Sequence, residues 1–150
     1  RVAAFAPSFD VDNIRERLAG LTETLGTPLR QIAIGREQDR LDVADVAALW
    51  EDDCTAAVAL TNSATLMALA ALRHLGRTVP DDVSLIGFDD YDWMAVAAPS
   101  ITAIRQPVRE MAQVAWDSLR KRIKGGAALN THTMHQPELI IRESTAPASR

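Results

Sequence analysis

Residues 56–91 read AAVALTNSATLMALAALRHLGRTVPDDVSLIGFDDY, and the order of apolar runs and breakers in this stretch decides the fold. Ala56 to Leu60 is a short apolar run without alternation, the pattern of a strand buried on both faces of a parallel sheet. Ser63 can cap the helix that follows by accepting a hydrogen bond from a free backbone N–H. Leu66, Leu69 (or Ala70) and Arg73 recur at helical spacing, and Gly76 supplies a left-handed stop. Pro80-Asp81-Asp82 is a turn, after which Val83 to Ile86 is a second apolar strand. Strand, helix and strand of this length form a βαβ unit with a right-handed crossover. Its strands end at Thr61-Asn62 and at Phe88-Asp89-Asp90. Open parallel sheets bind ligands beyond the carboxyl ends of their strands, so Asn62 and Asp89 are expected to face one pocket.

The same alternation extends to the amino-terminal side. Val2 to Ala6 reads as a strand, stopped by Pro7 and Ser8. A helix capped by Asp10 or Asp12 follows, with Ile14, Leu18, Leu21 and Leu25 as its apolar stripe and Gly26 and Pro28 as its end. Gln31 to Ile34 is a second strand, and Asp42 caps a helix carrying Val43, Val46, Ala47 and Trp50 on one face. Strands thus begin near Val2, Gln31, Ala57 and Val83, close to the period of about 30 residues of βαβ repeats. The expectation is an α/β, doubly wound, mainly parallel sheet flanked by helices. After Asp90 the pattern changes. Asp92 to Ala98 is a loop or one short helix, Ile101 to Ile104 a strand, and Val108, Met111, Ala115, Leu119 and Ile123 mark a long amphipathic helix ended by Gly125-Gly126. Thr131 to Arg142 reads as extended chain and Ser144 to Arg150 as a polar tail.

Composition removes several function classes. At 150 residues the chain is one domain's worth, with 47% hydrophobic and 24% charged residues. A formal net charge of −4 gives no basic face for nucleic-acid phosphates. The single cysteine, Cys54, excludes an internal disulfide and fits a reducing cytoplasm. No apolar run approaches the ~20 residues of a membrane helix, and there is no secretion signal, so neither a membrane nor export is expected. No nucleophile elbow, phosphate-cradling glycine loop or zinc motif occurs, so no enzyme activity, cofactor or metal is expected. His132 and His135, three apart in extended chain, point to opposite faces and make a poor metal pair. The chain opens directly on a strand at Arg1, which reads as a piece of a longer protein.

Three blocks, RTVPDDVSLIGFDD, ITAIRQPVREMAQVAW and PELIIRES, together with RLAGL from Arg17, resemble the effector-binding region of lactose-repressor/galactose-repressor transcription regulators, in that family's order and spacing. The resemblance covers nearly the whole chain. It implies a periplasmic-binding-protein-like fold. Residues 1–98 and about 126–143 would form the carboxyl-terminal subdomain, and 99–125 a crossover strand and helix belonging to an amino-terminal subdomain that is missing here. That crossover unit is expected either to fold back onto this chain's own sheet or to pair with a second copy, because its apolar face needs cover.

The resemblance also assigns ligand contacts. Asp89 would accept hydrogen bonds from ligand hydroxyls, as a carboxylate bridging adjacent hydroxyls suits a sugar. Arg17 would be a bidentate donor, Asn62 would match the family's Asn or the Asp beside it, and Gln106 sits at the crossover edge. Ser8, in the loop after the first strand, is a candidate by position. Leu41 stands where pyranoside-binding members commonly carry an aromatic platform, so a non-pyranose effector is an open alternative; Phe88, otherwise a core residue, and Trp93 are left as aromatic surface. By position alone Asn62 is as readily a turn residue, Asp89 and Asp90 solvated turn residues, and Arg17 a surface residue of its helix. The implied function is that of a cytoplasmic regulator, a dimer through Met67 and Ala71 on one helix and Trp93 and Met94 on the next segment. It would bind a sugar or related small effector and operator DNA, the latter through an absent helix-turn-helix domain. The alternative is a secreted solute-binding protein of the same fold.

Overall fold

The computed structural model describes residues 1–125 and 132–147. Gly126, Thr131 and residues 148–150, which the sequence placed in the helix stop, the return segment and the tail, lie outside the described residues. The elements in chain order are β1 (Val2–Ala6), α1 (Asp12–Leu25), β2 (Arg30–Ala33), α2 (Val43–Ala48), β3 (Ala56–Ala59), α3 (Asn62–His74), β4 (Ser84–Phe88), α4 (Asp92–Val96), β5 (Thr102–Arg105), α5 (Val108–Ile123) and β6 (Glu138–Ile140). They build a six-stranded sheet in the order β2-β1-β3-β4-β5-β6. All neighbours are parallel except β5 and β6, which are antiparallel. The α/β mainly parallel architecture read from the sequence is therefore present.

The central strands are built from small residues. Ala3, Ala4, Ala6, Ala57 and Ala59 are each 0% exposed, and such short side chains let helices lie close on the sheet. Larger residues fill the space around them. Phe5, Ile32, Ile34, Leu72, Leu85 and Met94 are fully buried, each stabilising the fold by roughly 1.5–3 kcal/mol for its side chain. The Phe5 and Trp50 rings stack at 6.2 Å between centroids. On α3 the buried face is Ala64, Thr65, Met67, Ala68, Leu69, Ala71 and Leu72. Leu66, which the sequence placed on the apolar stripe, is 51% exposed. At one point helix and sheet touch without slack: a Cβ built on Gly87 would lie 2.8 Å from Thr65 Cγ2.

Caps differ in detail from the sequence reading. Thr61, not Ser63, caps α3 by accepting from the Ala64 N–H. Asp42 caps α2 as expected, accepting from the Asp45 N–H at 2.8 Å. At α1 the cap position is Val11, with no side-chain bond, so neither flanking aspartate caps.

The strand assigned to a second subdomain lies in this sheet. β5 pairs with β4 from Ile86↔Thr102 to Phe88↔Ile104 and with β6 on its other side. The helix after it has no such cover: α5 has no buried residue, and Val108, Met111, Trp116, Leu119 and Ile123 are 40–72% exposed.

The segment read as a polar tail begins inside the fold. Ser144 is 0% exposed. Its hydroxyl donates to the Leu85 carbonyl at 2.6 Å and accepts from the Thr102 N–H at 2.8 Å. Its carbonyl accepts from the Leu85 N–H at 2.8 Å and its N–H donates to the Ser100 carbonyl at 2.9 Å. It thus joins the chain at the start of β4 to the chain at the start of β5.

Candidate effector site

The site lies at the carboxyl ends of β1, β3 and β4. Chain order reverses between β1 and β3, since β2 lies on one side of β1 and β3 on the other. Such a switch point leaves a crevice between the loops that diverge from it. One depression there, about 260 Å³, is lined by Pro7, Ile34, Gly35, Glu37, Arg40 and Ser63. A larger one, about 450 Å³, opens after β4 and β5 and is lined by Asp89 to Asp92, Arg105, Gln106 and Val108.

Arg17 reaches this edge from α1. Its Nη1 donates to the Leu60 carbonyl at 2.6 Å, and its guanidinium carbon stands 3.7 Å from the centroid of the Phe88 ring. Stacking of this kind is a cation–π contact, so Phe88 is the platform for an arginine. Partial burial pushes the Arg17 pKa down and the charge of Asp89 pushes it back up; an arginine so placed stays protonated at any physiological pH.

Asp89 follows β4 with φ +69, the left-handed region that a side chain other than Gly enters rarely and Asp more readily than most. Its Oδ1 accepts from Gln106 Nε2. Asp90, beside it, is held by more partners. Its side chain is only 3% exposed and takes Arg142 Nη1 at 2.5 Å on one oxygen and Arg105 Nε and Nη2 at 2.9 and 2.5 Å on the other. The Arg142 hydrogen bond is the largest reason that its carboxyl sits below the usual carboxylate range. Asn62, at the start of α3, accepts through Oδ1 from the Trp93 indole N–H at 2.9 Å.

The structure therefore brings Arg17, Asn62, Asp89 and Gln106 to one edge of the sheet. Ser8 is on the same edge, in the loop after β1, where its hydroxyl accepts from the Asp10 N–H at 3.2 Å. Leu41 does not face either depression: it packs on the main core beside Val43 and Trp50. Three of the four residues assigned to a subunit contact need correction as open surface. Met67, Ala71 and Met94 are 5, 2 and 0% exposed within the single chain, because they belong to its main apolar core. Trp93 is partly buried and committed to Asn62. The open faces of the same two helices carry Leu66 and Val96, 51 and 84% exposed. Sequence reasoning missed the Trp93–Asn62 and Arg142–Asp90 pairs, since partners 31 and 52 positions apart leave no local signal.

Among the described residues no group of three or more His, Cys, Asp or Glu could hold a metal ion. His132 is exposed, and His135 Nδ1 lies 3.2 Å from Glu110 Oε1. No described helix is long and apolar enough to cross a membrane.

The family model of the periplasmic binding protein-like domain matches residues 1–145. The chain belongs to that family. Within it the likeness is to the carboxyl-terminal region of lactose-repressor/galactose-repressor regulators. The chain is 42% identical over 105 residues to the HTH-type transcriptional regulator MalR of Streptomyces coelicolor, covering 70% of this chain and 30% of that protein. The crystal structure of the Escherichia coli transcriptional repressor ascG superposes with a TM-score of 0.79 at 27% identity, over 97% of this chain and 55% of that one. A sugar-binding regulator of the same family from Escherichia coli, complexed with phosphate, gives 0.78 at 28%, over 97% and 55%. The chain thus spans about a third of the MalR length and about half of each of these solved structures.

Proposed function

We propose that this lactose-repressor/galactose-repressor-type domain is the effector sensor of a transcription regulator, binding a sugar or related small metabolite at the edge formed by Arg17, Asn62, Asp89 and Gln106. The observation that carries the reading is this convergence: a stacked guanidinium reaching in from α1 meets a carboxamide and a carboxylate at neighbouring strand ends beside the switch point. Donors and acceptors side by side suit a polyhydroxylated ligand. Among similar proteins, one solved regulator is described as sugar-binding, which supports the same ligand class.

The mechanism is differential affinity. A ligand held between this domain and a second subdomain favours one arrangement of the two, and only that difference can alter operator affinity. DNA contact belongs to a helix-turn-helix outside this chain. The second subdomain is also what covers α5, whose apolar residues are exposed here. A subunit partner would meet α3 and α4 through their open faces around Leu66 and Val96.

The test is a thermal-shift screen of the full-length protein against sugars and sugar phosphates. A specific ligand at a hundred times its Kd stabilises by about 2.7 kcal/mol. Asp89→Asn should abolish the shift. If no sugar or sugar phosphate raises the unfolding temperature of the wild-type protein, the reading fails.

A further inference from the structure

Asn62, like Gln106, carries a carboxamide, which can present either an acceptor or a donor to the cleft. The orientation of an amide is normally an assignment between two nearly equivalent atoms. Here its neighbour removes the choice. The indole nitrogen of Trp93 is a donor and nothing else, and it lies 2.9 Å from the Asn62 side chain. Oδ1 must be the atom that faces Trp93, which leaves Nδ2 with its two hydrogens on the opposite side. Both partners are partly buried, so the bond is shielded from competing water. The flanking hydroxyls do not compete for the amide, since Thr61 and Ser63 bond to each other at 3.2 Å and Thr61 also caps α3.

We infer that Trp93 is a positioning residue that fixes the Asn62 amide with its N–H₂ toward the cleft, so that the site meets a ligand with donors at the β3 end and acceptors at the β4 end. This rests on the effector-site reading above and deepens it. At the β3 end the donors are Asn62 Nδ2 and the guanidinium of Arg17, anchored on the Leu60 carbonyl two residues earlier. At the β4 end Gln106 spends Nε2 on Asp89. That leaves Gln106 Oε1 and Asp89 Oδ2, which has no partner among the described residues, as acceptors. A ligand that fits presents an acceptor oxygen to Asn62 and hydroxyl hydrogens to Asp89. Specificity of this type is strong because a wrong group leaves a buried donor or acceptor unpaired.

The experiment has a ligand-free arm and a binding arm, both on the full-length protein. In the first, indole N–H resonances of ¹⁵N-labelled protein are recorded, Trp93 being identified by its loss in Trp93→Phe. Trp93 should exchange with solvent at least tenfold more slowly than the exposed Trp116, and should shift in Asn62→Leu. Exchange as fast as Trp116, or an unmoved resonance in Asn62→Leu, overturns the inference whether or not any sugar binds. In the second arm D-ribose, D-glucose, maltose and lactose are titrated calorimetrically. Asn62→Asp keeps an acceptor for Trp93 but turns the cleft side from donor to acceptor, and should weaken binding at least tenfold. Trp93→Phe should weaken it about fivefold, with no further loss when combined with Asn62→Ala. Unchanged affinity in Trp93→Phe, for a sugar whose binding Asp89→Asn abolishes, overturns the positioning role. Failure of these four sugars to bind, together with a blank thermal-shift screen of sugars and sugar phosphates, defeats the effector reading instead, and the resonance data still decide the amide's direction.

Discussion

Arg142 and Asp90 stand 52 positions apart in the chain and meet at 2.5 Å, with the Asp90 side chain 3% exposed. Arg142 Nη1 also donates to the Ile101 carbonyl at 2.7 Å, so one guanidinium ties the turn after β4 to the start of β5. Removing it strands a buried carboxylate with Arg105 as its remaining cation. Arg142→Ala should therefore cost about 3 kcal/mol, the low end for breaking a buried pair. Urea denaturation measures this, and Arg142→Lys, with one compact charge in place of a fork, should recover only part.

Acid should act through the same carboxylate. Its folded pKa is depressed, so the stability it contributes is present above the ordinary carboxylate range and is lost as pH falls through the lower folded value. The urea midpoint should hold steady from pH 7 to about 5 and then decline. Asp90→Asn should start lower and decline less. Some slope should remain, because Asp82 and Glu143, held low by hydrogen bonds from Thr78 and Ser100, titrate in the same direction. An unchanged acid profile in Asp90→Asn would remove this group from the account.

Gly87 faces Thr65 too closely for any side chain. An added Cβ would lie 2.8 Å from Thr65 Cγ2 and 3.0 Å from its Oγ1, and Thr65 is itself 0% exposed. Gly87→Ala should destabilise by roughly 1–3 kcal/mol through overpacking. Thr65→Ser removes the methyl that is struck first and keeps the hydroxyl that accepts from the Phe88 N–H. The double variant should be more stable than the sum of the single changes predicts, as denaturant midpoints would reveal.

Adjacent positions on α3 should respond oppositely to a charge. Met67 is 5% exposed and Leu66 51%. Met67→Glu forces a carboxylate into the core and should lower stability by more than about 2 kcal/mol. Leu66→Glu should stay within about 0.5 kcal/mol of the parent. On the proposed dimer surface, however, it should lower the mass of the full-length protein in light scattering. Unaltered mass with Leu66→Glu and Val96→Glu combined would place the subunit contact elsewhere.

Legibility in the sequence tracked the range of the interactions. The strands and helices were visible because apolar runs, Gly26, Gly76 and the Pro80 turn act locally. The positions of Asn62 and Asp89 on one edge followed from parallel pairing alone. The buried face of α3 was misjudged because apolar residues occur nearly all around that helix, so spacing cannot choose between Leu66 and Met67. Its cap was misjudged because Thr61 and Ser63 both offer hydroxyls, and only the extended backbone at Thr61 selects one. The role of Phe88 under Arg17, the Trp93–Asn62 bond and the burial of Ser144 all depend on distant chain segments meeting. Composition carries no trace of such meetings.

The seating of Ser144 has a consequence for how the protein is made. A ribosome delivers the chain from its amino end, and domains fold as units once enough of them has emerged. Leu85 and Thr102 reach the outside well before residue 144, yet each has a backbone group that pairs with Ser144. The nascent sheet therefore waits with an open seam between β4 and β5. Closure of the seam has to wait until residue 144 has emerged, and a message cut before that codon would release a chain that never completes it.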